Sequence, residues 1–306
     1  MYKYKYDKYI HKHKLLLKEF ALQQVSEKVS NYELKQKFLD KHIPKQMKNL
    51  EKIKNLKICS YNIWANNKYE HFSKLNCRLP YIVDEILRYE PDIICFQNIN
   101  DESIEFFKKK EILKSKYYFI EQIYNNTYIL SKYKCKSMEQ IIFDNSSFII
   151  SKFKNLNVIN ININNSNELL YIKKLLDKLN NVIICGSIYF DPDMQPTELE
   201  PLNLNDMWKI IHNDKKGYTY DTSNNKMAWN MKQKRTQQRR DVILYSNLKP
   251  IDIKLIGTEA IFSIPKNDNN FIKHIKNNKL DNRFVKYIND MIFYWSSIRF
   301  GLIGYF

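Results

Sequence analysis

The chain has 306 residues, of which 44% are hydrophobic and 14% aromatic, and this composition excludes a disordered chain because it can fill a packed core. The formal net charge of +17 favours polyanionic partners such as nucleic acid, unless an AT-rich genome simply favours lysine codons. No apolar run approaches the roughly 18 residues of a membrane span, and the N-terminus lacks the apolar core of a secretion signal. The five cysteines form no C-x-x-C pair. We therefore expect an intracellular protein.

Residues 1–54 are predicted to be a basic, mostly helical N-terminal segment. The segment opens with alternating tyrosine and lysine over residues 2–6, continues with apolar residues at helix-like spacing, and has a break near Pro44. Its opening resembles short Tyr/Lys-rich N-termini that recur in proteins of giant DNA viruses, which would place the protein in the host cytoplasm or the virion. Two interpretations stay open, namely a basic arm for nucleic acid or packaging and a solvated helix docked on the main domain.

Residues 55–306 alternate between strand-like and helix-like patterns, and we predict one α/β domain there. Short apolar runs predict strands at Leu56–Tyr61, Ile93–Phe96, Tyr117–Ile120, Thr127–Ser131, Ser147–Ser151, Val158–Ile163, Val182–Cys185, Asp241–Tyr245, Asp252–Gly257 and Gly301–Phe306. Apolar stripes at helical spacing predict helices at Leu79–Tyr89, Ser103–Leu113 and Leu169–Leu179. The Asn- and Lys-rich stretch 265–293 is predicted to be an insertion with a helix at Asn282–Phe293.

Five strand-like segments carry a recognisable order of polar residues. They are Ser60-Tyr61-Asn62-Ile63-Trp64, Pro91-Asp92-Ile93-Ile94-Cys95-Phe96-Gln97-Asn98, Ile183-Ile184-Cys185-Gly186-Ser187-Ile188-Tyr189, Arg239-Arg240-Asp241-Val242-Ile243-Leu244 and Ser297-Ile298-Arg299-Phe300-Gly301-Leu302. In this order they resemble the endonuclease/exonuclease/phosphatase superfamily of metal-dependent phosphodiesterases related to DNase I. The resemblance spans roughly Leu56 to Phe306.

Further segments are similar to the branch of that superfamily that contains tyrosyl-DNA phosphodiesterase 2-like proteins. They are Phe190-Asp191-Pro192-Asp193, Asp206-Met207-Trp208, Gly217-Tyr218-Thr219-Tyr220-Asp221 with Asn224 beyond it, and Gly257-Thr258-Glu259. The resemblance implies a two-sheet α/β sandwich, here preceded by N-terminal helices, with the site at one end where strand-terminal loops meet. It also implies an Mg²⁺ held by oxygen ligands, a carboxylate that activates water, and a histidine that stabilises the phosphate in the transition state.

The family pattern is kept at only two of the positions that carry this chemistry. Asn62 matches the first-strand Asn, and Asp241 matches the Asp of the Arg-x-Asp strand. The other positions are substituted: Asn98 stands at the metal-binding Glu, Ser187 and Tyr189 stand at the Asp and Asn of Gly-Asp-Phe-Asn, and Ile298 and Arg299 stand at the Asp and His of Ser-Asp-His.

These substitutions predict a catalytically impaired site. Loss of an anionic ligand at Asn98 weakens Mg²⁺ binding, because this ion gives up its water reluctantly, so we expect no cofactor, and Mg²⁺ only if the site is active. A rebuilt metal site would have to use Asn98 or the nearby carboxylates, which are Asp101, Glu102, Asp191 and Asp193. An active Mg-dependent phosphodiesterase or nuclease with such a rebuilt site is therefore the first alternative function.

The substitutions also make the predicted pocket more positive, because carboxylates are lost and Arg299 is always cationic. Arg299 can bind phosphate, and a basic run precedes the Asp241 strand, with Lys232, Lys234, Arg235, Arg239 and Arg240 as its charged residues. We therefore predict a phosphodiesterase relative that binds nucleic acid or a phosphate group without efficient cleavage. Four alternatives remain open. The site has decayed and Arg299 pairs with Asp241, or the basic run is only a solvated charged loop. The protein binds a protein partner, or it is a basic structural or packaging protein of a DNA virus.

Overall fold

A computed structural model describes residues 55–65, 74–120, 126–142, 146–265, 269, 291–295 and 297–306. The predicted N-terminal segment, residues 1–54, lies outside the described residues. So does most of the predicted insertion, of which the described residues are its two ends and residue 269.

The described chain is built of short strands and a few helices. The strands are β1 Lys57–Asn62, β2 Ile93–Gln97, β3 Tyr118–Ile120, β4 Thr127–Ser131, β5 Ser137–Ile142, β6 Ser147–Lys152, β7 Asn157–Asn162, β8 Val182–Ser187, β9 Asn205–Asp206, β10 Tyr220–Asp221, β11 Gln237–Gln238, β12 Asp241–Tyr245, β13 Asp252–Ile256, β14 Ala260–Pro265, β15 Met291–Trp295 and β16 Gly301–Tyr305. The α-helices are α1 Leu75–Tyr89, α2 Asp101–Lys109, α3 Glu111–Lys116, α4 Ser166–Leu176, α5 Met207–His212 and α6 Lys226–Lys232, and short 3₁₀ helices lie at Pro196–Glu198 and Glu200–Leu202.

Two mixed sheets, each of six strands within the described residues, form the body of the domain. The first has the order β13-β16-β1-β2-β4-β3, and the second has the order β5-β6-β7-β8-β12-β9. In each sheet the central pair is parallel, β1 with β2 and β7 with β8, while the flanking strands are antiparallel. Parallel strands end on the same side, so each sheet brings two strand ends to one edge.

The two sheets face each other across a shared apolar core. Ile58 and Ile93 of the first sheet belong to the same buried cluster as Ile183 and Ile243 of the second. Helix α1 covers the outer face of the first sheet through a second cluster, and α4 covers the second sheet through a third. The central strands β1, β2, β7 and β8 are buried on both faces, because the middle of each sheet is covered on both sides. This arrangement is the predicted two-sheet α/β sandwich.

Some elements differ from the sequence predictions. The helix predicted over Ser103–Leu113 is two helices, α2 and α3, because Lys110 between them has an extended backbone. The helix predicted at Asn282–Phe293 is wrong for its last residues, which belong to strand β15 and pair with β14. Residues 292–295 are β-branched or aromatic, and such side chains favour strands. No helix in the described part of the chain is long and apolar enough to cross a membrane.

Candidate functional site

Polar residues gather at the edge where the parallel strands of both sheets end. Asn62 is the last residue of β1, and Ser187 is the last residue of β8. Asp241 begins β12 and lies opposite Ser187 in the antiparallel pair. Arg299 precedes β16, which pairs with β1. The fold thus brings together four residues that are up to 237 positions apart, between Asn62 and Arg299.

These four residues, called here the central cluster, form one hydrogen-bonded chain. The Asn62 Nδ2 donates to the Ser187 Oγ at 2.8 Å, and the Ser187 Oγ donates to the Asp241 Oδ1 at 2.5 Å. The same Asp241 Oδ1 accepts from the Arg299 Nη1 at 3.2 Å. Asn62, Ser187 and Asp241 are at most 2% exposed. The chain therefore links the two sheets, although within the described residues the buried Asp241 Oδ2 has no hydrogen-bond partner.

Backbone contacts hold the cluster in place. The Asn62 Oδ1 accepts from the backbone N–H of Trp64 at 3.1 Å, which fixes the amide with its Nδ2 toward Ser187. The Thr219 Oγ1 accepts from the backbone N–H groups of Arg240 and Asp241 at 3.0 and 3.1 Å. The Arg299 backbone N–H donates to the Ser297 Oγ at 3.3 Å. The positions of the cluster's residues are consequently fixed by contacts to Trp64, Thr219 and Ser297, which lie in loops next to the strands of both sheets.

Asn98 and Tyr189 have their bonds outside the central cluster. The Asn98 Oδ1 accepts from the Asn162 Nδ2 at 3.2 Å, which joins the ends of β2 and β7. The Tyr189 hydroxyl donates to the Glu198 Oε2 at 3.0 Å, and its ring packs edge-on against Phe190. The structure therefore brings Asn98 to the same edge of the sandwich and ties Tyr189 to the loop that follows β8.

Arg239 is buried rather than available at the surface. Its side chain is 1% exposed, and its Nη2 lies 2.8 Å from the Asp193 Oδ1 and 2.7 Å from the Asp206 Oδ2. Its Nε and Nη1 bond the same two carboxylates at 3.2 Å each. Burial lowers the pKa of Arg239, but the charges and hydrogen bonds of Asp206 and Asp193 outweigh burial and leave the pKa raised. A guanidinium that is buried and paired with two carboxylates is not available to a phosphate, so the predicted phosphate-binding role of Arg239 is replaced by a structural one.

Arg240 and Arg299 lie near each other beside Tyr220. Burial lowers the pKa of Arg240, and the positive charge of Arg299 lowers it further. Burial raises the pKa of Tyr220, while the charges of Arg299 and Arg240 act in the opposite direction. Arg299 pairs with Asp241 and Arg240 directly precedes Asp241, so both arginines border the central cluster.

The remaining basic residues belong to the loop that leads into this edge. Lys234 and Arg235 are exposed between α6 and β11. Lys232 is the last residue of α6, and its side chain lies outside the described residues. Strand β11 pairs with β10, and Thr219, directly before β10, bonds the start of β12. The loop is thereby joined to the central cluster through β10 and Thr219 and through the start of β12.

The donor set does not fit an Mg²⁺ site. Asp241 is the only carboxylate of the central cluster, and Arg299 already pairs with it. Asp101 and Glu102 are exposed on α2, and the Glu102 Oε1 accepts from Asn76 at 2.6 Å. Asp193 is bound by Arg239. Within the described part of the chain, no group of three or more His, Cys, Asp or Glu residues could hold a metal ion.

Solved structures with the same fold include enzymes of several kinds. TDP2 from D. rerio complexed with single strand DNA product superposes with a TM-score of 0.58 at 16% identity, covering 82% of this chain and 98% of that chain. Sphingomyelinase C from Streptomyces griseocarneus gives a TM-score of 0.58 at 15% identity, covering 82% and 99%. An endonuclease/exonuclease/phosphatase family protein from Leptotrichia buccalis gives 0.50 at 15% identity, covering 81% and 98%.

The chain has the endonuclease/exonuclease/phosphatase fold. The resemblance to that superfamily and to TDP2-like proteins is confirmed at the level of fold, which is what identities of 15% and 16% can show. No protein-family model and no curated protein sequence matches the chain.

The sequence did not indicate the roles of Thr219 and Asn162. Thr219 lies inside a segment that resembles the family only as a pattern of residues, and its two backbone partners are 21 and 22 residues away. Asn162 ends β7 as Ser187 ends β8. The signal for Asn162 was available, because polar residues at the ends of parallel strands share one edge.

Ser187→Ala should destabilise the fold by about 1–3 kcal/mol, because it removes the acceptor of the buried Asn62 Nδ2 and one of the two donors to the Asp241 Oδ1, which keeps its bond to Arg299. Urea unfolding of the purified chain measures this loss. A double-mutant cycle with Asn62→Ala provides the control, since partners in one network lose stability non-additively. Additive losses would show that the Asn62–Ser187 bond contributes little.

Proposed function

We propose that this protein is a catalytically impaired relative of metal-dependent phosphodiesterases that binds nucleic acid through phosphate groups without efficient cleavage. The observation that carries the proposal is the central cluster, in which an arginine and a serine stand where phosphodiester hydrolysis needs carboxylates and a histidine. The cluster has one carboxylate, and that carboxylate is neutralised by Arg299 at 3.2 Å.

The weak catalysis follows from the chemistry of these groups. A serine hydroxyl that donates to Asp241 cannot remove a proton from water, and an amide at Asn98 gives an Mg²⁺ ion no negative ligand. An arginine stays protonated at neutral pH, so Arg299 cannot transfer a proton to a leaving group. Removal of several members of a catalytic unit costs roughly 10³-fold or more in rate.

Phosphate binding is supported by the donors that remain on two arginines. A guanidinium has five N–H donors, and within the described residues Arg299 uses one side-chain donor, to Asp241. The buried Nε of Arg240 has no hydrogen-bond partner within the described residues. Two guanidinium groups with spare donors suit the oxygens of a phosphodiester, which they bind through charge-assisted hydrogen bonds.

Nucleic acid is the phosphate source that the rest of the chain favours. The net charge of +17 attracts a polyanion, and Lys234 and Arg235 are exposed on the loop that leads into the site. The TDP2 structure with the same fold is complexed with single strand DNA product.

We expect the purified chain to bind fluorescein-labelled single-stranded DNA in EDTA, and to leave it uncut when Mg²⁺ or Mn²⁺ is added. Arg299→Ala should weaken binding about tenfold, since a charge-assisted phosphate contact contributes at least about 1.4 kcal/mol. The slope of log K against log salt concentration should also become less negative by about 0.7, which is the contribution of one phosphate contact on a single strand. Fluorescence anisotropy over a salt series measures both quantities.

Arg88→Ala is the matched control for this experiment. Arg88 is also an arginine paired with an acidic residue, but its side chain is 73% exposed on α1. An equal loss of affinity in both variants would overturn the proposed site, because it would show that only total charge matters. Metal-dependent cleavage of the DNA, or of a 5′-tyrosyl substrate, would instead favour an active enzyme with a rebuilt site.

A further inference from the structure

A second basic site lies at the end of the sandwich opposite the central cluster. A cavity of about 520 Å³ is lined there by Lys136, Lys152, Lys154 and Lys178. Lys152 ends β6, while the neighbouring β7 begins at Asn157 and runs to Asn162 at the central cluster's edge. A strand of six residues spans roughly 17 Å. The cavity is therefore a separate site.

The walls of this cavity are tied to one another by hydrogen bonds. The Asn157 Nδ2 donates to the Asn180 carbonyl at 2.6 Å, and the Asn181 Nδ2 donates to the Asn155 carbonyl at 3.1 Å. These bonds join the β6–β7 turn to the loop before β8. The Lys136 backbone N–H donates to the Lys152 carbonyl at 2.7 Å, which joins the start of β5 to the end of β6. The backbones that carry the lysines are thus held at fixed positions before any ligand arrives.

Buried apolar side chains support the cavity from below. Phe153 and Leu156 line it and are 4% and 1% exposed, and the Phe153 N–H closes the β6–β7 turn on the Leu156 carbonyl at 2.8 Å. A turn anchored in the core in this way cannot fold away from its lysines without exposing apolar surface. The β6–β7 turn, and with it this wall of the cavity, is therefore part of the folded core structure.

The charge of the cavity is unbalanced. Of the residues that line it, none is acidic. Lys136, Lys152 and Lys178 form no ion pair within the described part of the chain, whereas Lys132, Lys114 and Lys116 elsewhere are each paired with a carboxylate. Three unpaired ammonium groups around one cavity repel one another, and a multiply charged anion relieves that repulsion.

From this geometry we infer that the cavity lined by the four lysines, called here the lysine cavity, binds a ligand with several phosphate groups. Lysine is a point-charge binder of phosphate with three donors, and the lining asparagines offer neutral amides beside the charges. A volume of about 520 Å³ lies within the usual size of a small-molecule site, roughly 300–1,000 Å³. The phosphates can come from a free polyphosphate or from a nucleic-acid backbone, and the two sources are separated by experiment.

The test is calorimetric titration of the full chain with inorganic tripolyphosphate, with anisotropy of labelled single-stranded DNA alongside. Lys152→Gln/Lys178→Gln removes two charges from the cavity and keeps most of each side-chain stem. Lys173→Gln/Lys174→Gln is the matched control, since both lysines are exposed on α4 and do not line the cavity. We expect tripolyphosphate affinity to fall about tenfold or more in the cavity variant and less than about twofold in the control.

The outcomes separate the two phosphate sources. Loss of tripolyphosphate binding with unchanged DNA binding assigns the cavity to a free polyphosphate, and loss of both assigns it to a nucleic-acid backbone. Equal losses in the cavity and control variants, or no tripolyphosphate binding by the unmodified chain, would overturn the inference. Arg299→Ala tests the central cluster, and the lysine variants test the cavity. A negative result at one site therefore does not decide whether the other site binds.

Discussion

We expect Arg239→Met to lower the free energy of unfolding by about 3–5 kcal/mol, the cost of breaking a buried ion pair by removing one partner. Arg239 is 1% exposed, and its partners Asp193 and Asp206 are 12% and 13% exposed. Methionine fills much of the space of the arginine stem but leaves Asp206 without its cation and leaves Asp193 with only the more distant Lys209, at 3.8 Å. Urea unfolding at neutral pH measures the change.

Two companion variants make this prediction specific. Arg239→Lys should also be costly, because an ammonium cannot make the forked bonds that the guanidinium makes to both carboxylates. Arg88→Met should change stability by no more than about 0.5 kcal/mol, because the pair of Arg88 with Glu85 is exposed at the arginine. A small effect of Arg239→Met, similar to that of Arg88→Met, would show that the buried pair is not needed.

The same ion pair predicts how stability depends on pH. Burial raises the pKa of Asp193, but the hydrogen bond and charge of Arg239 outweigh it, so the pKa is lowered in the folded protein. A lowered pKa gives stability that is present above the unfolded value, about 3.9, and is lost as the pH falls through the folded value. The stability difference between the unmodified chain and Arg239→Met should therefore shrink when unfolding is measured below about pH 4. A constant difference across this range would contradict the role assigned to Asp193.

The strands that position the site could be predicted from the sequence because they are buried on both faces. Continuous apolar runs such as Ile93–Phe96 and Val182–Cys185 leave few alternatives to a covered strand, and each lies within an observed strand. Strand β5 was missed because its Ser137–Ile142 sequence is half exposed at the sheet edge and carries only a weak apolar signal. The positions of Asn62, Ser187, Asp241 and Arg299 came from the resemblance to the family's motifs.

The pairing of charges could not be predicted from the same sequence. Arg239 and Arg240 are neighbours, and successive side chains in extended chain point to opposite sides. The sequence did not indicate which of the two would face Asp193 and Asp206, since those partners lie 46 and 33 residues away. A run of basic residues therefore divides in the fold into one structural arginine and one at the site.

Gly186→Ala should destabilise the protein by about 3 kcal/mol or more and should displace Ser187 from the central cluster. A Cβ at this position would lie 1.9 Å from the Ile161 carbonyl oxygen, and Gly186 has φ +150. Backbone strain of this kind costs about 1–3 kcal/mol, and overpacking adds about 1–3 kcal/mol. The oxygen belongs to the backbone of β7, directly opposite Gly186, so it can move only if the two strands separate.

That separation is what connects the fold to the proposed function. Ser187 follows Gly186, and its hydroxyl bridges Asn62 and Asp241, so a shift of β8 breaks the chain that holds Arg299. Gly304→Ala is the matched control in the interior strand β16, because its Cβ would meet the flexible end of Met207 at 2.9 Å rather than backbone. We expect Gly186→Ala to lose both stability and single-stranded DNA affinity at a temperature where Gly304→Ala remains folded and keeps its affinity. If Gly186→Ala were as stable as the control, the close approach of β7 and β8 would not be what sets Ser187 in place.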